Sequence, residues 1–327
     1  MSPITHRKIR ANGISIHIAE AGTGPLVVLL HGFPDLWYTW RHQLHALADA
    51  GYHAVAPDLR GYGETDAPAA VAEYAMTKMV GDVVGTLDAM GAETATVAGH
   101  DWGARIAWHT AQFHPQRVSS LVALSVAFDP RFPTTSAMKQ WSGDKFNFAL
   151  YFQEPGVAEA ELEVDPRRTL RLFLYALSGD APPELVPMLF QSKPAGAGAL
   201  DGMPEPGALP PWLTEMDLDY YAHAFARTGF RGALSRYRNM DRDAQELAPH
   251  LGLPILPPTL FMAGEYDSAF RFAKLEPMKA AVRNLRKILI LPRCGHWLQQ
   301  ERSEVVTQAM VSFLASETQG GEDRKSR

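Results

Sequence analysis

Val97-Ala98-Gly99-His100-Asp101-Trp102-Gly103 is the stretch that decides the fold. A short apolar run ends in a glycine, an acid follows two positions later, and a second glycine precedes a helix-like run. That spacing describes a strand bending sharply into a helix with a nucleophile at the apex. In so tight a bend, a side chain at Gly99 or Gly103 would strike the adjoining helix or strand. The apex residue must take a strained, often positive φ, which Asp tolerates better than most. A helix beginning just after Asp101 points backbone N–H groups at its carboxylate. The plainer alternative is that Asp101 only N-caps that helix.

Outward from the bend, short apolar runs alternate with amphipathic ones, as expected of parallel strands with covering helices. Strands are expected at 14–19, 26–30, 52–56, 94–98 and 118–126, and helices at 37–50, 74–90 and 102–113, with Gly91 as a helix stop. The alternation fails from 129 to 247, where a Pro/Gly/Ala-rich stretch at 181–212 suits neither element. It resumes with a strand at 258–262, a helix at 275–282, a strand at 286–291 and a helix at 305–314. The expected architecture is therefore α/β: a mostly parallel sheet flanked by helices, formed by residues 1–128 and 249–316. A mainly helical cap domain at 129–248 is inserted over the carboxyl edge of the sheet, where ligands bind in such folds. The polar end, 317–327, is expected to be disordered.

Composition excludes several classes. The chain has 327 residues, 46% hydrophobic and 20% charged, with net charge −5, so no basic surplus attracts nucleic acid or an anionic membrane. No apolar run is long enough to span a bilayer, and no apolar segment follows the amino-terminal charges as in a secretory signal. One cysteine, Cys294, can form neither an internal disulfide nor a zinc site. A cytoplasmic setting is expected. Gly22-Thr23-Gly24 lacks the third glycine and following helix of a dinucleotide-binding turn. Oligomeric state is left open, a homodimer included.

Asp rather than Ser at the apex decides the chemistry. A serine that opened an epoxide or displaced a halide would leave an ether, which a histidine base cannot hydrolyse. A carboxylate leaves an ester, whose acyl carbon is open to activated water. The partners should follow in the order acid, then histidine. Asp267 stands after the strand at 258–262, with Glu265 as its rival, and His296 stands after the strand at 286–291. His296 would be the base for water, oriented by Asp267. A lone loop histidine among twelve is more often solvated or core-satisfied, and the chain order is what singles this one out. Two backbone donors are needed for the oxyanion: Trp102, after the nucleophile, and Phe33, in the His31-Gly32-Phe33-Pro34 loop. His31, Pro34, Trp102 and Trp297 are expected to wall the substrate pocket.

Over nearly its whole length the chain resembles the soluble-type epoxide hydrolases of the α/β-hydrolase fold, including the hydrolase domain of the vertebrate enzyme. The motifs are HGFPD at 31–35, DLRGYGETD at 58–66, GHDWGAR at 99–105, YFQEPGVAEAELE at 151–163, GFRGALSRYRNMD at 229–241 and CGHW at 294–297. The resemblance implies that two cap tyrosines hydrogen-bond the epoxide oxygen, with Tyr151 and Tyr237 at the matching positions. Phenols suit that task, since they stay protonated at neutral pH while donating to a developing alkoxide. Arg236 stands where relatives often carry an aromatic, and Ser268-Ala269-Phe270 departs from the family's continuation after the acid. The implied reaction is an epoxide plus water giving a vicinal diol, with no metal or organic cofactor. One rival is a haloalkane or haloacid dehalogenase with the same three residues, where Trp102 could hold halide. A non-catalytic ligand receptor on the same fold is the other.

Overall fold

The computed structural model describes residues 2–182, 184–187, 193–271 and 273–325. Eight strands form one sheet: β1 (Thr5–Ala11), β2 (Ile14–Ala21), β3 (Leu26–Leu30), β4 (His53–Pro57), β5 (Ala95–His100), β6 (Val118–Leu124), β7 (Thr259–Gly264) and β8 (Leu285–Leu291). Their order is β1-β2-β4-β3-β5-β6-β7-β8, parallel from β4 onward and antiparallel at β1 and β2. Central strands covered on both faces read as unbroken apolar runs, and all five residues of β3, LVVLL, are buried.

Strand β1 escapes the sequence reading because its residues, THRKIRA, are mostly polar and exposed. Its signal was the Asn12-Gly13 turn, with both residues at positive φ, closing a hairpin onto β2. Charged side chains on this edge also discourage further strand pairing.

Helices α1 (Arg41–Asp49), α2 (Met76–Ala89) and α3 (Trp102–Phe113) cover the first half of the sheet. From β3 the chain steps outward to β4, then returns to the other side of β3 as β5. Connections leaving the carboxyl ends of β3 and β5 therefore diverge, which opens a crevice between them. The loop at 31–35 and the bend at Asp101 flank that crevice.

Between β6 and β7 run α4 (Thr135–Ser142), α5 (Phe148–Tyr151), α6 (Val157–Leu162), α7 (Pro166–Ala176), α8 (Leu185–Pro187), α9 (Glu215–Thr228), α10 (Arg231–Tyr237) and α11 (Met240–Glu246). Parts of the Pro/Gly/Ala-rich stretch, 183 and 188–192, lie outside the described residues. One apolar core continues from the sheet into these helices through Phe33, Phe152, Phe230 and Tyr237. A second, on the other face, joins Trp40 and Leu44 to Met310 and Leu314.

After β7 come α12 (Ser268–Arg271) and α13 (Leu275–Ala281), and after β8 come α14 (Leu298–Glu301) and α15 (Ser303–Lys325). In the structure α15 runs on through the polar end to Lys325, and only 326–327 lie outside the described residues. Extending an existing helix fixes one residue per added hydrogen bond, so polar residues can follow a nucleated helix beyond its packed part. Among the described residues, no helix is long and apolar enough to cross a membrane.

Candidate active site

Asp101 sits at the bend with φ 53° and ψ −117°, and its side chain makes no cap bond to α3. Its Oδ1 instead accepts the Phe33 N–H at 2.9 Å, and the Trp102 N–H is a second donor. The glycines permit this. A Cβ on Gly99 would lie 2.1 Å from the Gly103 carbonyl oxygen, and one on Gly103 2.2 Å from that of Leu30. A Cβ on Gly32 would meet the Asp101 Cβ at 2.4 Å. Burial raises the Asp101 pKa, opposed by the charge of His296 and by the two N–H donors.

His296 projects from the loop after β8, with Nε2 3.9 Å from Asp101 Oδ2 and Nδ1 3.0 Å from Asp267 Oδ1. The first gap exceeds a direct hydrogen bond but suits one bridging water. Burial pulls the His296 pKa down, but the Asp267 carboxylate, its hydrogen bond and the Asp101 charge outweigh this and raise it to about 9. Asp267 responds in the opposite sense. Burial would raise its pKa, yet His296, Ser125 and the Ala269 N–H hold it below the ordinary value. Glu265, the rival acid, is exposed and accepts the Arg293 N–H at 3.0 Å.

Two residues here carry no sequence motif. Ser125, at φ 72° just past β6, places Oγ 3.2 Å from His296 Nδ1. Glu301 is buried and accepts the N–H groups of Gly179, Gly295 and Trp297 at 2.9, 2.8 and 3.0 Å, tying the His296 loop to the inserted helices. Only tertiary contact reveals either.

Asp101, His296, Phe33, Pro34 and Tyr237 line one cavity of about 590 Å³, with Phe148, Phe152, Phe173, Leu177 and Met203 among its apolar walls. The structure does not bring Tyr151 there. Its hydroxyl donates to Glu161 at 2.9 Å, and the same carboxylate accepts the N–H groups of Ala199 and Leu200. The reason is helical geometry. Phe148 and Phe152, four residues apart, share the cavity face, and Tyr151 turns to the side. Tyr237 is therefore the one phenol among the cavity-lining residues. Burial, then the Asp101 charge, keep it protonated well past neutrality.

Three of the expected wall residues stand behind the cavity rather than in it. His31 is fully buried: its Nδ1 lies 2.9 Å from the Gly32 carbonyl oxygen, and its Nε2 accepts the Leu59 N–H at 2.9 Å. Burial lowers its pKa to about 4, so it is neutral and braces the Phe33 loop. Trp297 donates through its indole to the Leu174 carbonyl at 3.0 Å. Trp102 packs edge-on against Tyr237 with ring centres 5.0 Å apart. It does not line the cavity, so its indole is not set to hold halide there. Arg236, too, is absent from the cavity lining. It is buried, ion-paired with Asp243, bonded to the Tyr74 carbonyl, and lies 4.9 Å over the Trp102 ring.

The sequence model of the α/β-hydrolase fold matches residues 25–303. Epoxide hydrolase A of Mycobacterium tuberculosis is 42% identical over 96% of this chain and 98% of its own. Among solved structures, epoxide hydrolase A from Mycobacterium thermoresistibile is 44% identical with a TM-score of 0.90, covering 96% of this chain and 98% of that one. An epoxide hydrolase from an endophytic Streptomyces is 45% identical with a TM-score of 0.92, covering 95% of each chain. Identity of this order across nearly the full length of both partners places the chain in the α/β-hydrolase fold family, among the epoxide hydrolases.

Proposed function

We propose that the protein hydrolyses a small-molecule epoxide to a vicinal diol through an ester on Asp101, with residues 1–128 and 249–316 as the catalytic core and 129–248 as its cap. The observation that carries this reading is the setting of Asp101. One carboxylate oxygen is held by the Phe33 N–H at 2.9 Å, the other lies 3.9 Å from His296, and all three face the cavity with Tyr237. Asp101 attacks an epoxide carbon, the C–O bond breaks, and Tyr237 donates to the departing oxygen. Water then adds to the Asp101 acyl carbon as His296 takes its proton, and the Phe33 and Trp102 N–H groups hold the oxyanion. Collapse breaks the acyl C–O bond, His296 returns its proton to the diol oxygen released from the ester, and the second water proton, left on the re-formed Asp101 carboxyl, replaces the one Tyr237 gave up. Asp267 keeps the imidazole oriented throughout. The single cysteine, buried and unpaired, suits a cytoplasmic setting.

One turnover in heavy-oxygen water tests the covalent route. The first diol carries an old Asp101 oxygen, and solvent label appears in Asp101. Immediate solvent label in that diol would instead mean direct attack by water.

A single phenol makes a sharp prediction about the cap tyrosines. Tyr237→Phe slows ester formation by roughly 10²-fold, the scale of losing a positioned acid. Tyr151→Phe leaves that rate near wild type and lowers stability by about 1 kcal/mol through its lost bond to Glu161. Stopped-flow alkylation rates and thermal melts distinguish the two. Equal slowing by both would return Tyr151 to the reaction.

A further inference from the structure

Arg105 lies three residues beyond Trp102 on α3, so the two share a face, and its N–H donates to the Asp101 carbonyl oxygen at 3.2 Å. Its guanidinium stands 5.6 Å from the centre of the Trp102 ring and 5.2 Å from that of Phe132, and these two rings stack on each other. Among the described residues it has no ion-pair partner. Asp129, whose charge also reaches it, lies within ion-pair distance of Arg131. Arg236, on the same indole, is by contrast neutralised by Asp243. Arg105 is thus a cation spent on no counter-ion, beside the residue whose backbone N–H faces the nucleophile.

Charge accounting shows what it can serve. Asp101 and Asp267 contribute two negative charges and protonated His296 one positive, so Arg105 brings the resting site to neutrality. Ester formation removes the charge on Asp101. Attack by water then recreates a negative charge on the Asp101 carbonyl oxygen, and a cation nearby favours that state over the neutral ester.

We propose that Arg105 is a positioning residue for the oxyanion, seating the Trp102 ring and its N–H while its uncompensated charge stabilises negative charge on Asp101. The inference rests on Asp101 being the nucleophile. A carboxylate beside this cation ionises more readily, and the Arg105 charge does lower the Asp101 pKa against the larger effect of burial. The cation therefore also shifts the acid limb of ester formation toward lower pH.

The test uses the full chain with styrene oxide as probe, resolving ester formation and ester hydrolysis by rapid quench and intact mass. Arg105→Met, which keeps an unbranched apolar stem without the charge, should hydrolyse the ester about tenfold more slowly. Its acid limb of ester formation should move to higher pH. Arg105→Lys should restore both, because it returns the charge. Hydrolysis by Arg105→Met at the wild-type rate with an unmoved acid limb would overturn the inference. So would Arg105→Lys as slow as Arg105→Met, which would reduce the residue to packing. If Arg105→Met does not fold, the wild type and Arg105→Lys decide: matching acid limbs and hydrolysis rates support the charge, and a tenfold loss in the lysine variant overturns it. Wild-type enzyme that never forms the ester would sink the reading of Asp101 itself, an outcome distinct from all of these.

Discussion

Asp101→Asn abolishes diol formation, lowering turnover by roughly 10⁶-fold, the scale seen when a covalent nucleophile is removed. The variant keeps the shape of the side chain and an oxygen able to accept the Phe33 N–H, so the bend and the cavity should survive. What it loses is the negatively charged oxygen that must attack carbon. A second consequence separates this loss from unfolding. The Asp101 charge is one of the interactions that raise the His296 pKa to about 9, so a neutral amide lets that pKa fall. Imidazole resonances followed by NMR titration read the shift, and intact mass reads the absence of adduct. Residual turnover within 100-fold of wild type would mean that water attacks the epoxide directly.

His296→Gln has the next largest effect, and it falls on the other half of the reaction. Ester formation continues, because Asp101 and Tyr237 are intact. Hydrolysis slows by roughly 10³-fold, the middle of the span for lost general-base catalysis. The enzyme should therefore gain the mass of one epoxide and hold it. pH adds a further signature in the wild type. In the free enzyme His296 carries its proton at neutral pH, since its pKa lies near 9. Forming the ester removes the neighbouring negative charge of Asp101, so the imidazole pKa drops and the proton leaves as the base is needed. A group acting in its unprotonated form gives a rate that rises with pH. The hydrolysis rate should climb to a plateau with a midpoint below about 9, and His296→Gln should lose that rise. Stopped-flow hydrolysis rates across pH check this. A flat wild-type profile, or no adduct on a folded His296→Gln, would remove His296 from the base role.

Reading the sequence reached the layers and most strands because periodicity records burial directly. The α3 helix matches the expected bounds, Trp102 to Phe113, since the two flanking glycines leave few other ways to make the turn. Strand β1 was invisible because an edge strand need not be apolar, and the end of α15 because a helix already nucleated can run on through polar residues without an apolar pattern. The site divides the same way. Phe33, Asp101, Asp267 and His296 each follow a strand end, so strand order alone brings them to one edge of the sheet.

The chain's local order thus determined the strand-to-helix bend, the acid at its apex and the succession of its partners, because backbone sterics and strand ends are properties of short segments. Tertiary structure alone decided which side chains look into the cavity. It turned Tyr151 toward Glu161 and set Phe148 in the wall, withdrew His31 and Trp297 into the packing, and stacked Arg105 and Arg236 on one indole. Those outcomes depend on how short helices rotate against a distant surface, and a rotation is settled by contacts between residues far apart in the chain.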